Sequence, residues 1–76
     1  MTPAQLRGAR AAIQMTQEDL ASRAGVPRSA IAEFEADARK PRRSTIDRLR
    51  SALEAAGVVF IDADGISGIG LRTDSD

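Results

Sequence analysis

The sequence predicts a mainly α-helical domain, a compact set of four short helices closed by a short C-terminal β-hairpin or strand. Three observations predict it. Apolar residues recur at three- and four-residue spacing in successive windows between Leu6 and Ala56. Thr, Pro and Gly punctuate those windows where helices start and stop. After Gly57 the rhythm gives way to Val58-Val59-Phe60-Ile61, a β-branched and aromatic run.

The first helix is expected at about residues 3–13. Thr2 is its cap, Pro3 lies in its first turn, and Leu6, Ala9 and Ile13, with Ala12 beside them, form its apolar stripe, with Arg7 and Arg10 among them. The second is expected at about 17–24, capped by the Thr16 hydroxyl, with Leu20, Ala21 and Ala24 as its apolar face. Gly25 ends it, because a left-handed turn costs glycine no Cβ clash. Pro27 opens the third, at about 28–35, where Ala30, Ile31 and Phe34 face inward. Arg28, Ser29, Ala32 and Glu33 are left outward.

Asp37 to Ser44 reads as a loop, since Asp37 tolerates a left-handed conformation and Pro41 blocks a continuing helix. Ser44 or Thr45 is expected to cap a fourth helix at about 45–56, whose core side carries Ile46, Leu49, Ala52, Leu53 and Ala56. Gly57 stops it, which divides the chain into residues 1–57 and a β-like extension, 58–76. Asp62-Ala63-Asp64-Gly65 is expected to turn the chain, Ile66 to Leu71 to form a weaker strand, and Thr73 to Asp76 to fray.

Composition limits what such a domain can do. The chain has 76 residues, no cysteine and no histidine, which removes disulfides, thiolate metal sites and the commonest catalytic base. Aromatics are Phe34 and Phe60 alone, too few for a base-stacking platform. No apolar run reaches membrane-spanning length and no signal peptide is evident, so the expectation is an intracellular, cytoplasmic, nucleoid-associated protein. Formal net charge is zero, but its distribution is uneven: residues 1–57 carry ten Lys/Arg against seven Asp/Glu, and residues 58–76 carry Arg72 against four aspartates. Arg39-Lys40-Pro41-Arg42-Arg43 places four cations in five residues, and such local patches govern encounters with a polyanion.

Two short helices joined at Ala24-Gly25-Val26, the second with polar residues at its exposed start, make a helix-turn-helix arrangement. Leu6-Arg7, Arg10, Thr16 to Ala21, Ala24-Gly25-Val26, Ser29, Ile31, Glu35, Pro41, Thr45-Ile46 and Leu49 together resemble the Cro/C1-type, or XRE-type, helix-turn-helix family. The resemblance spans Leu6 to Leu53, about two-thirds of the chain. It implies a DNA-binding domain that recognises double-stranded operators, usually as a homodimer on palindromic sites. Family members commonly have five helices and often carry glycine where Asp37 stands; here the last helix gives way to the strand-like segment after Gly57.

Within that resemblance the third helix enters the major groove with Arg28, Ser29, Ala32 and Glu33 toward base edges. An arginine fork matches guanine, a carboxylate accepts from the cytosine amino group, and a small side chain meets a thymine methyl. Gln17 matches a phosphate-contacting position, and Arg39, Lys40, Arg42, Arg43, Ser44 and Thr45 grip the backbone. Arg10 and Glu35 match a structural pair linking the first and third helices. Blander readings stand beside these: Arg28 as a solvated helix-start residue, Glu33 as the partner of a nearby arginine, and the 39–43 cluster as a solubilising loop. The whole motif favours DNA contact for Arg28 and the cluster and leaves Glu33 evenly balanced.

No catalytic or metal constellation emerges, and no cofactor is expected. Asp62-Ala63-Asp64-Gly65 resembles the start of a calcium loop, but Ile66 and Thr73 stand where oxygen ligands belong. Asp47 and Glu54 read as a solvated helix face. The first functional expectation is a homodimeric transcriptional regulator, similar to short controller proteins or phage-type repressors. The second is an antitoxin or anti-activator that covers a protein partner, such as a toxin or polymerase subunit, with the tail adding a strand. The tail is expected to pair with itself and to build a two-fold interface from Leu53, Val58, Val59, Phe60, Ile61, Ile69 and Leu71.

Overall fold

The computed structural model describes residues 1–63 and 66–71, with side chains described through Ile61. The element order is α1 (Pro3–Ala12), α2 (Gln17–Ala24), α3 (Arg28–Glu35), α4 (Arg43–Ala55), β1 (Val58–Ala63) and β2 (Ile66–Leu71). The architecture is the expected one, four helices and a two-stranded antiparallel hairpin.

Thr2 caps α1 by accepting from the Gln5 backbone, and the Gln5 side chain accepts from the Thr2 backbone in return. Thr16 does the same for α2 by accepting from the Asp19 backbone. Gly25 ends α2 at φ 69°, and the Val26 N–H reaches back to the Ala21 carbonyl at 3.1 Å. An added Cβ there meets no neighbour within 4 Å, so the backbone alone sets the penalty. Gly25→Ala is expected to cost about 1 kcal/mol, read from the urea midpoint with an unchanged slope. Asp37, at φ 58°, closes α3 in the same way, with Ala38 N–H donating to the Glu33 carbonyl at 2.8 Å.

Leu6, Leu20, Ile31, Leu49 and Leu53 have no exposed surface, and Ala9, Met15, Ala21, Phe34 and Val58 complete the core. Burying each of the larger side chains contributes roughly 1.5–3 kcal/mol. The core draws on every helix and on β1. β1 lies along α4 and β2 along α1, which places the hairpin on the first and last helices.

The structure corrects several details. α1 ends at Ala12, which is exposed; Ile13 is its cap and is half-buried. Gln14 then turns the chain at φ 56°, a position the sequence did not flag. Pro27 is the cap of α3 rather than its first residue, with ψ 142° still extended. Neither Ser44 nor Thr45 caps α4, which starts at Arg43 behind Arg42 and has no side-chain cap. Pro41 cannot itself donate in a helix, yet it allows one to begin almost immediately after it. Asp62 and Ala63 belong to β1 rather than to a turn, because Asp62 pairs with Ser67 and Ala63 with Ile66. The expected turn at Asp64-Gly65 and the expected frayed end lie outside the described residues.

Candidate nucleic-acid interface

The starts of the four helices divide into two kinds. α1 and α2 begin with threonine hydroxyls that satisfy backbone donors. α3 and α4 begin at Arg28 and Arg43, with no side-chain cap and no acidic residue in the first turn. A cation at a helix N-terminus opposes the helix dipole, and uncapped N–H groups point outward. Both features become favourable when an anion faces them.

Between these two starts lies a cleft of about 250 Å³. It is lined by Ser29, Ala30 and Glu33 from α3, by Arg39, Lys40, Pro41 and Arg42 from the loop, and by Thr45 from α4. The turn after α3 positions the loop, because the Glu33 carbonyl receives the N–H groups of both Ala38 and Arg39. Six of the residues expected to meet DNA therefore share one concave surface. Arg43 faces elsewhere, in a depression with Met1, Lys40, Ile46, Asp47 and Arg50. Ser44 is exposed in the first turn of α4, and Ala32 is half-buried on α3.

The expected Arg10–Glu35 pair is formed. Glu35 is the buried charged residue of the described chain, 6% exposed. Arg10 binds it bidentately through the Nε–Nη2 edge of its fork, Nε to Oε2 at 2.5 Å and Nη2 to Oε1 at 2.7 Å. Burial alone pushes the Glu35 carboxyl pKa up. The hydrogen bonds from Arg10 and Gln17 and the charges of Arg10 and Arg7 outweigh that and hold it below 4.5. The hydrogen bond to Glu35 raises the Arg10 pKa in turn, against the opposing effect of burial. Arg10 Nη1 also donates to the Met15 carbonyl at 2.8 Å, which ties the α1–α2 turn to the pair. No buried side-chain polar atom among the described residues lacks a partner.

Two members of this network go beyond the pair expected from the sequence. Arg7 donates to the Glu35 backbone carbonyl at the end of α3. Its place three residues before Arg10 on one helix face is the signal for it. Gln17 donates from Nε2 to Glu35 Oε1 at 3.1 Å, and its Oε1 accepts from Arg28 Nη1 at 3.3 Å. The expected phosphate contact at Gln17 thus sits between the buried pair and the expected base-reading arginine. One Gln17 amide N–H stays free for a phosphate.

The expected dimer residues separate into two groups. Leu53 and Val58 are 0% and 2% exposed and belong to this chain's own core. Phe60 packs on that core, with the Arg50 guanidinium 5.0 Å above its ring. Strand alternation explains the split, since Val58 and Phe60 face the helices while Val59 and Ile61 face away at 44% and 45% exposure. Leu53 and Val58 thus spend their apolar surface within the chain, and Val59 and Ile61 are the exposed members of the group. The side chains of Ile69 and Leu71 lie outside the described residues. Among the described residues no three His, Cys, Asp or Glu converge as a metal site. No described helix is long and apolar enough to cross a membrane.

The fold and this surface define a helix-turn-helix domain, with α2 and α3 as its two helices and an electropositive cleft beside the second. Residues 6–56 match the model of the helix-turn-helix family HTH_3. The chain belongs to that Cro/C1-type, or XRE, family of DNA-binding transcription regulators. No curated protein matches the chain.

Proposed function

We propose that this chain is a sequence-specific transcriptional regulator that inserts α3 into the major groove of palindromic operators as a homodimer. The observation that carries the reading is one cleft lined by Ser29 and Glu33 of α3, Arg39, Lys40 and Arg42 of the loop and Thr45 of α4, beside two helix starts that have no side-chain cap. Arg28, Ser29, Ala32 and Glu33 read base edges. Arg39, Lys40, Arg42, Arg43, Ser44, Thr45 and Gln17 hold the phosphates on either side and fix the register. A two-fold dimer sets the reading helices about one DNA turn apart, roughly 34 Å. Residues 1–57 act as the DNA-binding unit, and the extension beyond them supports pairing of two copies through Val59 and Ile61. The setting is the cytoplasm, on the nucleoid.

Duplex affinity should fall with salt at a log–log slope of roughly −0.9 per neutralised phosphate. Arg42→Ala combined with Arg43→Ala should weaken operator and random duplex by similar factors and reduce that slope by about two. Equilibrium titration at several salt concentrations reads both. A double variant that lost operator discrimination but kept its slope would sink the assignment of these arginines to the backbone.

A second reading, an antitoxin or anti-activator that covers a protein partner, draws on the exposed apolar pair Val59 and Ile61. It predicts weak duplex binding with no preference among sequences, which the same titrations distinguish.

A further inference from the structure

We infer that two copies of this chain meet face to face through the outward side of the β1–β2 hairpin, with Val59 and Ile61 of each copy seated over Gly70 and Gly68 of the other. The inference deepens the homodimer reading and rests on it.

Strand pairing makes the face. Val59 pairs with Gly70, and Ile61 with Gly68. Side chains alternate along a strand, so both pairs lie on the side turned away from the helices. The opposite side is covered, by α4 along β1 and by α1 along β2. Among the described residues, Val59 and Ile61 are the large apolar side chains left in water. Beside each of them β2 contributes no side chain. The outward face is therefore an apolar ridge on β1 next to a trough on β2.

Nothing within one copy calls for the glycine at position 70. Its φ lies outside the left-handed region, and a Cβ there would meet Ile61 Cδ1 at 3.6 Å, an ordinary contact. A β-branched residue would hold the strand better. Glycine inside a strand commonly marks a place where another group comes close to the backbone.

Ridge and trough together select a second copy as the occupant. A two-fold axis between two such faces, parallel to the strands, turns β1 of one copy over β2 of the other. That axis moves nothing along the strands, so each residue lands over the register partner of its equivalent. Val59 then faces Gly70 of the second copy, and Ile61 faces Gly68. One surface supplies both halves of the fit, as an isologous contact requires. Two six-residue strands make a face roughly 20 Å long and 10 Å wide. Such a face is smaller than a permanent dimer buries. Pairing is therefore weak in free solution and is completed where an operator holds two copies side by side.

The test uses full-length chain. Sedimentation of wild type over a wide concentration range should show reversible exchange between monomer and dimer. Gly70→Val fills the trough and should weaken self-association by about tenfold or more. Its thermal midpoint should be no lower than that of wild type, because valine suits a strand better than glycine. Adding Val59→Ala to Gly70→Val exchanges ridge and trough and should bring association back to within about threefold of wild type. Val59→Thr keeps the branched shape at an exposed position and should weaken association by about threefold or more. It carries the decision if Gly70→Val does not fold. Where dimer is too scarce to rank the variants, cooperativity between the two halves of a duplex selected from a random pool should rank them in the same order. If both single variants paired as wild type does, and wild type selected inverted repeats, the copies would meet at a strand edge or through the helices. That result would overturn this inference alone. A wild type that stayed monomeric throughout and filled the two halves independently would overturn it together with the homodimer reading.

Discussion

Glu35→Ala is expected to destabilise the domain by about 3 kcal/mol, the cost of leaving one partner of a buried ion pair behind. The magnitude sits at the low end of that class because Arg10 keeps 19% side-chain exposure and can partly turn to water. For a domain of 76 residues, thermal unfolding should fall by roughly 12 °C or more. The loss has several physical components. Arg10 loses both contacts to the carboxylate, Gln17 loses its acceptor, and α1, α2 and α3 lose their common anchor. Arg10→Met with Glu35→Leu should recover much of the stability lost in either single variant, because an apolar pair of similar volume removes the stranded charge.

The same pair sets an acid dependence. The Glu35 pKa in the folded chain lies below the ordinary 4.5, so the carboxylate binds its proton less readily folded than unfolded. Its contribution is therefore complete above about pH 4.5 and is lost as pH falls through the lower folded value. Urea midpoints of wild type should drop through that acid window. In Glu35→Gln this component should be missing, and the two curves should converge at low pH. Parallel curves would show that Glu35 is not ionised in the folded state.

Arg28→Ala is expected to remove discrimination at one base position of each half-site by roughly five- to 150-fold, the worth of a bidentate arginine–guanine contact. Binding to random duplex should fall only slightly, because the cations of the 39–43 loop remain. Stability should hardly change, since Arg28 is exposed and its one hydrogen bond is to a half-buried amide. That contrast separates the two strongest predictions: one variant loses stability with Arg28 still in place, and the other loses base discrimination with the fold intact.

Features encoded within a few neighbouring residues were legible. Thr2, Thr16, Gly25 and Asp37 each act on backbone within a turn of themselves, so residue type and position suffice. α2 and α3 begin and end where the spacing places them. The start of α4 was not legible, because Ser44-Thr45 offers two good caps and the chain uses neither. What decides there is Pro41 and the absence of any acidic residue, which leaves the helix start bare. Inward and outward faces of β1 were not legible either. Four consecutive apolar residues carry no alternation, so only packing on α4 sorts Val58 from Val59.

The surface residues show the same division. The 39–43 cluster stands out by charge alone, and the cleft brings Arg39, Lys40 and Arg42 to Ser29 and Glu33. Arg10 and Glu35 were recognisable through the family pattern and are joined as that pattern implies. Gln17's dual bonding could not be read, since it depends on residues eighteen positions downstream on one side and eleven on the other. Long-range geometry of this kind leaves no periodic trace in a sequence.

The central claim is that α3, led by Arg28, reads bases on a two-fold site. Selection from a random pool of duplexes, run in parallel with wild type and Arg28→Ala, tests it most directly. Wild type should enrich an inverted repeat with half-site centres about one turn apart, roughly 34 Å, and Arg28→Ala should lose one guanine preference from each half. No enrichment with wild type, or the same motif from both proteins, would contradict it.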